Sequence, residues 1–501
     1  MPEHVRALMV VLVLGGSVFL LARRAFVDLI PAATYTRWRN LWLLMTLALF
    51  LAHSYWVYAL LVAVYAVVAT RRESHLLGLY FLLLFVAPPS RVEVPGLGLV
   101  NHLFVLDQYR LLALALLLPA ALALLQRSSS LKLGRSPVDW MVLGFFALTS
   151  LLHFREANLT SGLRNIVTNG IDVFLPYYVV SRSIRDMDGF KAALSGFMIG
   201  AMVLSVVALF EVLRSWKLYS AVLGALGLNP SEFGGYLRRA GFLRPTATVG
   251  NSIVLGYVVM VGLGFALFLK EFVASTRLKW LGMGVLVLGV IASLSRGPWV
   301  GAVFMLLVYV AMGPRAIKQL MRIGVVALGV GLLLGMFPFG QMLIEMLPFV
   351  GTVDEGNVEY RANLLTQALP VIQRNLWLGS VDYLETPELQ VMLQGEGIVD
   401  LVNSYILVAL DVGLVGLALF AGVFVLALRE VKRSMRRAHR HSAEAEVLGR
   451  ALFAVLASIM LVIYTVSSIT AVPVVYWSVA GLCVAYAQFV SEAPRASEES
   501  R

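Results

Sequence analysis

The sequence predicts an all-α protein built as a polytopic bundle of membrane-spanning helices. Of its 501 residues, 59% are hydrophobic and only 14% are charged, whereas a soluble domain averages roughly 25% charged residues. Many apolar runs also reach the ~17–25 residues that cross a bilayer as a helix. These runs are continuous, whereas the strands of a membrane barrel alternate apolar and polar residues.

Apolar runs give about 14 candidate spans. They lie at residues 5–22, 55–70, 76–87, 107–125, 137–152, 162–181, 190–213, 251–269, 279–294, 298–312, 321–337, 403–427, 448–466 and 470–489. The run 41–52 is too short to span upright, so a re-entrant or interfacial helix is predicted there. It is separated from the next span at His53-Ser54.

Basic residues in short loops predict the orientation of the bundle, because such residues collect on the cytoplasmic side. The segment 429–440 carries six basic residues against one acid, Glu430, and is assigned to the cytoplasm. Counting spans back from it places five further basic loops on the same side. The C-terminus then lies inside, and the turn Ser295-Arg296-Gly297 lies outside.

This orientation divides the chain into four parts. Residues 1–337 form transmembrane helices with short loops, apart from an external loop at 214–250. Residues 338–402 form a large periplasmic loop with short helices, 403–489 the C-terminal transmembrane helices, and 490–501 a disordered cytoplasmic tail. Within the large loop, an amphipathic helix is predicted at 358–373, ended or kinked early by Pro370. Its apolar face is assigned to Tyr360, Leu364, Leu365 and Ala368.

Composition also argues against several classes of function. The formal net charge of +11 lies largely in short loops, which favours a topology signal over nucleic-acid binding. The one cysteine, Cys483, lies in an apolar run and cannot form a disulfide within the chain. The seven histidines are scattered without the spacing of metal ligands, so neither a metal nor a cofactor is predicted.

Arginines on the predicted outer face are the main candidate binding residues. Arg238, Arg239 and Arg244 lie in one stretch, Arg296 follows Ser295, and Arg361 follows Tyr360; Arg164 lies at the outer end of the span 162–181. Guanidinium groups stay charged and grip phosphate oxygens through paired hydrogen bonds. We therefore predict a site for an anionic head group, here a pyrophosphate. The alternative is that these arginines pair with acids of the 338–402 loop or with lipid head groups.

Two of these stretches resemble motifs of a known family. Arg239-Ala-Gly-Phe-Leu-Arg244-Pro, followed by Gly250-Asn-Ser and an apolar span, resembles the outer-face motif of the bacterial O-antigen ligase and polymerase family. Ser293-Leu-Ser-Arg296-Gly resembles the Ser-Arg-Gly turn of that family two spans later.

Two further segments extend the resemblance, which covers about residues 230–425. Tyr360-Arg361 and the later Asn375-Leu-Trp-Leu-Gly379 resemble the start of the large periplasmic loop of the family. Asn403-Ser-Tyr405-Ile and Gly413-Leu-Val-Gly416-Leu resemble the segment that re-enters the membrane.

The resemblance implies transfer of an oligosaccharide from an undecaprenyl-pyrophosphate carrier, on the periplasmic face of the bacterial inner membrane and without a metal. The expected partners are a lipid-linked donor, a lipid-linked acceptor and membrane lipids, with a chain-length regulator or a flippase as a candidate protein partner. No nucleic acid is expected. The sugars, their linkage and the oligomeric state stay open.

One departure from the family pattern favours a polymerase. Ligases of the family commonly have a histidine just before the Asn-Ser-Tyr-like segment, where this chain has Val402. A valine cannot accept a proton. The prediction is therefore a glycosyltransferase that polymerises lipid-linked repeat units into O-antigen or exopolysaccharide. The alternatives are a ligase that transfers polysaccharide to a lipid A core and, from another class, a secondary transporter or lipid flippase.

The acceptor hydroxyl still needs orientation and a base. Asp400, Glu396 and Glu359 are the candidates, although each is equally an ordinary loop acid or an arginine partner. Asp400 and Asn403 are three residues apart and share a face if a helix begins there. Asn403 and Tyr405 are accordingly assigned to substrate binding.

Overall fold

The computed structural model describes residues 1–70, 73–96, 98, 101–126, 132–155, 158–229, 235–337, 355–394, 397–439 and 442–492. Over these residues the chain is a bundle of helices, with strands only in two short antiparallel hairpins. The predicted fold class, a polytopic helical bundle, is confirmed. The hairpins are additions that apolar periodicity did not indicate.

The helices follow one another from α1 to α19, and the strands from β1 to β4. The helices are α1 (Glu3–Ala25), α2 (Ala32–Leu51), α3 (Tyr55–Thr70), α4 (Leu76–Leu83), α5 (Gln108–Gln126), α6 (Pro137–Leu152), α7 (Leu159–Asn169), α8 (Leu175–Ser183), α9 (Met187–Arg214), α10 (Ser220–Ala225), α11 (Ser252–Leu269), α12 (Thr276–Ala292), α13 (Arg296–Ala311), α14 (Ala316–Gly335), α15 (Glu355–Arg374), α16 (Pro387–Gln390), α17 (Ser404–Ala438), α18 (Ala443–Val462) and α19 (Ala471–Glu492). The strands are β1 (Val92–Pro95), β2 (His102–Leu106), β3 (Arg238–Arg239) and β4 (Phe242–Leu243). A π-helical turn, Gly170–Phe174, joins α7 to α8, and another, Ala113–Leu117, lies within α5.

Nine helices of the described ranges are long and apolar enough to cross a membrane, and α3 and α13 are shorter apolar helices. The predicted span 76–87 is instead the eight-residue helix α4, and the span 162–181 is interrupted by the π-helical turn. Hydropathy counts apolar runs but does not register where the backbone turns within one.

The run 41–52, for which a short re-entrant or interfacial helix is predicted, is part of a longer helix in the structure. It belongs to the 20-residue helix α2, which ends just before His53. The buried rings of Trp38 and Trp42 hold its first half in the bundle. A Cβ at Gly15 would lie 2.2 Å from the Trp42 ring, and one at Gly78 would lie 2.2 Å from the Trp38 ring. The two glycines of α1 and α4 therefore make room for these rings.

The centre of the bundle is α11. The most apolar segment of this helix is 94% buried, and that of α9 is 83% buried. α9 packs against α4, α11 and α12, while α19 packs against α8 and α17. By contrast, the most apolar segment of α14 is 0% buried. An apolar helix with no buried residue is suited to contact with lipid rather than water.

A small second core lies over one end of the bundle. It joins α15 and α16 to the start of α17 through Leu364, Ala368, Leu389, Leu401 and Leu410. We call α15, α16 and the described residues between α15 and α17 the cap. Through this core the cap is packed onto the membrane helix α17.

The predicted amphipathic helix of the cap is α15, which is longer than expected. It runs from Glu355 to Arg374 with Pro370 inside it, so Pro370 does not end it. Leu364 and Ala368 are buried as predicted, but Leu365 is 47% exposed. At 3.6 residues per turn, Leu365 lies about 100° from Leu364, at the edge of the apolar stripe rather than within it.

The cap and α17 also cross at a pair of glycines. Gly413 interrupts α17 with φ 69° and ψ −170°, so the regular hydrogen bonds of the helix stop there. The amides of Leu414 and Val415 donate instead to the carbonyls of Leu376 and Trp377, at 2.8 and 3.2 Å. A Cβ at Gly379 would lie 2.4 Å from the backbone carbonyl oxygen of Asp411. The two glycine segments therefore form one joint.

Replacing Gly413 by alanine should destabilise the protein by about 2 kcal/mol or more, because its backbone geometry is accessible essentially to glycine alone. The new Cβ would also lie 2.3 Å from the Trp377 carbonyl carbon. Thermal unfolding of the purified chain in detergent measures the loss. Gly324→Ala, at a helical site with nothing within 4 Å, is the matched control and should unfold at the temperature of the wild type or slightly above it. Equal unfolding temperatures for the two variants would contradict the role of the joint.

Candidate active site

Arg238 and Arg239 lie in a β-hairpin whose turn has two residues. β3 and β4 pair Arg238 with Leu243 and Arg239 with Phe242, and Ala240 and Gly241 form the turn with φ of 47° and 82°. A turn with two positive φ values matches the twist of paired strands. Alternate side chains of a strand point to opposite faces, so the two arginines diverge.

Arg238 and Arg239 therefore have different surroundings. Arg238 is exposed, and its Nη1 donates to the Gly241 carbonyl of its own turn at 3.0 Å. Arg239 is half-buried, and its Nη1 donates to the carbonyl of Leu294 at 2.6 Å. Arg239 thus contacts the turn that precedes Arg296.

That turn links α12 to α13 and places Arg296 at the first residue of α13. Leu294 has a positive φ of 49°, and the Ser295 hydroxyl donates to the Ser293 carbonyl at 3.0 Å. The next residue, Gly297, is packed closely, because a Cβ there would lie 2.7 Å from Thr465 Oγ1. The Ser-Arg-Gly sequence therefore needs its glycine to lie against Thr465.

Thr465 belongs to residues 463–470, the segment between α18 and α19 that we call the 463–470 turn. The Thr465 carbonyl accepts a hydrogen bond from Arg361 Nη2 at 3.3 Å. Two positions along, the Ser467 hydroxyl donates to Asp400 Oδ1 at 3.0 Å. One short turn thus contacts Arg361, Asp400 and the glycine beside Arg296.

The charges of this group act on one another. Burial lowers the pKa of the Arg361 guanidinium, the positive charges of Arg239 and Arg296 lower it further, and Asp400 opposes them. Charge–charge effects of this kind decline with distance and screening. Arg239, Arg296, Arg361 and Asp400 therefore share one site, which we call the arginine–aspartate site.

Tyr360 fixes the backbone of Asp400 within this site. The Asp400 amide donates to the Tyr360 hydroxyl at 3.2 Å, and the same hydroxyl lies 3.1 Å from the Asp400 carbonyl oxygen. Because Tyr360 precedes Arg361, one turn of α15 holds both a cation and the carboxylate-bearing segment. Sequence reasoning placed Tyr360 on an apolar face and in a motif of the family, but it did not predict this contact with Asp400.

Arg244 lies in different surroundings from Arg239, although the two are close in sequence. Burial lowers the pKa of Lys217, Glu211 opposes the effect, and the charge of Arg244 lowers it further, which places Arg244 near Lys217. The fully buried Glu211 carboxylate accepts from the amides of Thr246 and Ala247, both at 3.0 Å. Glu211 therefore anchors the base of the hairpin, with Arg244 beside that anchor.

Arg164 also lies apart from the arginine–aspartate site. Its Nη2 and Nε donate to the carbonyls of His102 and Leu103 in β2, at 2.9 and 3.2 Å. It lines a separate polar cavity with Asp107, Arg110 and other residues.

The polar atoms of Asn403 and Tyr405 make contacts within the protein. Asn403 is the N-cap of α17, and its Oδ1 accepts from the amides of Tyr405 and Ile406 at 2.9 and 3.2 Å. A side chain in this role stabilises the start of a helix. The Tyr405 hydroxyl donates to the Met460 carbonyl at 2.9 Å. These contacts favour structural roles over the predicted substrate contacts.

The three candidate bases have different outcomes. Asp400 is half-buried in the arginine–aspartate site, whereas Glu359 is exposed on α15, and Glu396 lies outside the described residues. Among the described residues, no group of three or more His, Cys, Asp or Glu could hold a metal ion. Asp400 is the candidate base that the geometry favours.

Sequence reasoning missed Thr465 and Ser467. A signal in the sequence could have identified both residues. Four of the six residues in the run Thr465-Val-Ser467-Ser468-Ile-Thr470, between two apolar spans, carry hydroxyl groups. Polar residues in such a short connection on the arginine-bearing side deserve the same weight as the arginines.

Comparison with protein families identifies the part of the chain that holds most of this site. Residues 281–421 match the O-antigen ligase family model. They form an O-antigen ligase family domain. The domain includes Arg296, Arg361, Asp400 and the Gly413 joint, while Arg239 lies before it. A search of curated proteins finds no significant match.

The family match confirms the resemblance that the motifs indicated. Together with the apolar helices, it describes a membrane protein with an O-antigen ligase family domain, which suggests an enzyme of the glycosyl-transfer type. The substrates associated with the family are lipid-linked polysaccharides in the membrane.

Proposed function

We propose that this protein is a metal-independent polymerase that joins undecaprenyl-pyrophosphate-linked repeat units into O-antigen or exopolysaccharide at the periplasmic face of the inner membrane. The observation that supports the proposal is the arginine–aspartate site. Three guanidinium groups share that site with one half-buried carboxylate, on a chain whose O-antigen ligase family domain supplies two of the arginines and the acid.

The arginines supply the charge that the leaving group needs. As the bond between the anomeric carbon and the pyrophosphate oxygen breaks, the electron pair remains on that oxygen. Arg239, Arg296 and Arg361 stabilise the developing negative charge, because fixed cations at the site of charge development lower the barrier. Their positive charge takes the place that a metal ion has in other phosphate-binding sites.

Asp400 supplies the base for the acceptor. Its carboxylate accepts the proton of the acceptor hydroxyl while the hydroxyl oxygen forms the new bond to the anomeric carbon. The hydrogen bond from Ser467 to Oδ1 orients the carboxylate. The products are a glycan extended by the transferred chain, the protonated carboxyl and undecaprenyl pyrophosphate.

Val402 favours a polymerase over a ligase. This residue occupies the position of the histidine common in ligases of the family, and it packs against the small apolar core of the cap. Its side chain has no proton acceptor. Among the described residues, Asp400 is therefore the candidate base of the arginine–aspartate site.

Purified full-length protein in lipid vesicles, supplied with undecaprenyl-pyrophosphate-linked repeat units, tests the proposal. We expect a ladder of longer glycans that forms equally well with EDTA present. Single transfers to an added lipid A core without ladders would replace the polymerase by a ligase. Substrate-dependent ion flux without any glycan product would overturn the assignment as a glycosyltransferase.

A further inference from the structure

A second polar cavity, of about 370 Å³, shares the 463–470 turn with the arginine–aspartate site and is not used in the mechanism above. Its size falls within the range of small-molecule sites. Five charged side chains line it, which are Arg91, Asp107, Arg110, Arg164 and Asp172. In a chain with only 14% charged residues, such a concentration needs a reason, because charge among membrane helices is costly and commonly functional.

The 463–470 turn connects this cavity to Asp400. Ser467 donates to the Asp400 carboxylate at 3.0 Å, and the next residues, Ser468 and Thr470, line the cavity. Ser468 is itself held by a hydrogen bond to Ser404 Oγ at 2.8 Å. Along the chain, the first residue of this turn that lines the cavity, Ser468, directly follows Ser467, which orients the candidate base Asp400.

Protein contacts fix the charged groups of the cavity in position. Arg110 binds the Asp172 carboxylate through Nη2 and Nε, with contacts of 2.7, 3.0 and 3.2 Å. Asp107 caps α5 by accepting from the Arg110 amide at 2.9 Å, and Arg164 is held by two carbonyls of β2. Groups fixed in this way lose little freedom when a ligand binds.

The mixture of donors and acceptors indicates the class of ligand. Carboxylates only accept hydrogen bonds, guanidinium groups only donate them, and the Asn165 and Thr168 side chains do both. A sugar ring matches this set, because each hydroxyl both donates and accepts. An apolar tail would cover these charged groups without offering them a hydrogen bond, and Asp107 and Asp172 offset two of the three arginine charges that would attract a pyrophosphate.

We propose that this cavity is a carbohydrate subsite, which binds a sugar of the acceptor glycan next to the sugar whose hydroxyl reaches Asp400. The proposal rests on the proposed function, because it assumes that an acceptor glycan approaches the arginine–aspartate site. It adds lining residues from 89–91, 105–110 and 164–172, which precede the O-antigen ligase family domain, to the substrate-binding surface.

The test fills the cavity from one wall. Thr168→Phe places a ring in the cavity, while Thr160→Phe puts the same change on the exposed part of the same helix, α7. The probe is the repeat-unit oligosaccharide released from its lipid carrier by mild acid, and its binding to the purified full-length chain is measured directly. We expect Thr168→Phe to weaken this binding by at least ~10-fold and to raise the KM for acceptor while kcat stays near the wild-type value. Thr160→Phe should leave the binding and both constants unchanged.

Two results would overturn the subsite. One is unchanged oligosaccharide binding in folded Thr168→Phe. The other is a Thr168→Phe variant that loses affinity for inorganic pyrophosphate instead, which would indicate an anion site. If Thr168→Phe does not fold, Thr168→Val should still weaken oligosaccharide binding severalfold through the lost hydroxyl, and unchanged binding in it would equally overturn the proposal. Failure of the proposed function is distinguishable, because it appears as an absence of ladders from the wild type.

Discussion

Arg296→Ala should lower the rate of glycan transfer by at least ~100-fold, because removing one fixed donor from a developing oxyanion typically costs 10²–10³ in rate. The loss should fall on kcat more than on the KM for the lipid-linked donor, since the charge on the pyrophosphate grows as its bond breaks. The measurement is single-turnover product formation in vesicles with lipid-linked repeat units. Arg296→Lys should recover only part of the rate, because an ammonium group lacks the paired donors of a guanidinium.

The control for this prediction comes from α15. Arg361→Ala should lower the rate in the manner of Arg296→Ala, whereas Arg374→Ala on the same helix should not. Arg374 is 56% exposed and pairs with Glu388 away from the arginine–aspartate site. Wild-type rates in a folded Arg296→Ala variant would remove the arginines from the mechanism.

Asp400→Asn should lower the transfer rate by ~10²–10⁴, the range that a positioned general base contributes. Asparagine keeps the shape and can still accept the hydrogen bond from Ser467, but it is not basic enough to take the acceptor proton. Binding of the lipid-linked donor should stay near the wild-type value, because the arginines remain in place. Donor binding and single-turnover transfer, measured on the same preparation, separate the two effects.

Ser467→Ala provides the graded comparison for Asp400. It removes only the hydrogen bond of 3.0 Å that orients the carboxylate, so we expect a loss of about tenfold, consistent with a hydrogen bond of roughly 1.5 kcal/mol to a charged group. Glu359→Gln, at an exposed position on α15, should keep the wild-type rate. Full activity in Asp400→Asn, or a loss in Glu359→Gln as large as in Asp400→Asn, would assign the base elsewhere.

The membrane character and the general location of the site followed from the sequence for a physical reason. Apolar runs of bilayer length leave few alternatives to a helical bundle. The charge pattern of the loops predicts few basic residues on the outer face, so the arginines assigned to that face required an explanation, and Arg239, Arg296 and Arg361 were among them. The family resemblance then rested on the same residues.

The grouping of the arginines could not be predicted, because it depends on backbone directions set by single residues. Arg239 and Arg244 are five positions apart, yet the turn at Ala240 and Gly241 sends the chain back before Arg244 and places it near Lys217. Spacing alone treats both arginines alike. The roles of Asn403 and Tyr405 likewise depend on which backbone groups lie near their polar atoms in the fold.

Two predicted helices have other lengths in the structure for a related reason. Hydropathy measures how well a run tolerates lipid, and it contains no term for a turn within an apolar run. α4 stops after eight residues, and α2 is extended by two tryptophans that fit against glycines of other helices. Both outcomes depend on contacts between segments distant in sequence.

The joint at Gly413 has a mechanical consequence for how a bulky glycan enters. Backbone hydrogen bonds tie residues 376–380 to α17 on both sides of the break, and Arg155 adds two more bonds to the carbonyls of Leu378 and Gly379. We expect the cap to rotate about that point, because toward the other end of α15 it is held by side chains, as in the bond from Arg361 to the Thr465 carbonyl. A rotation displaces atoms in proportion to their distance from its axis. We therefore expect substrate binding to displace Arg361 and Tyr360 more than Gly379 and Gly413, which lie at the joint.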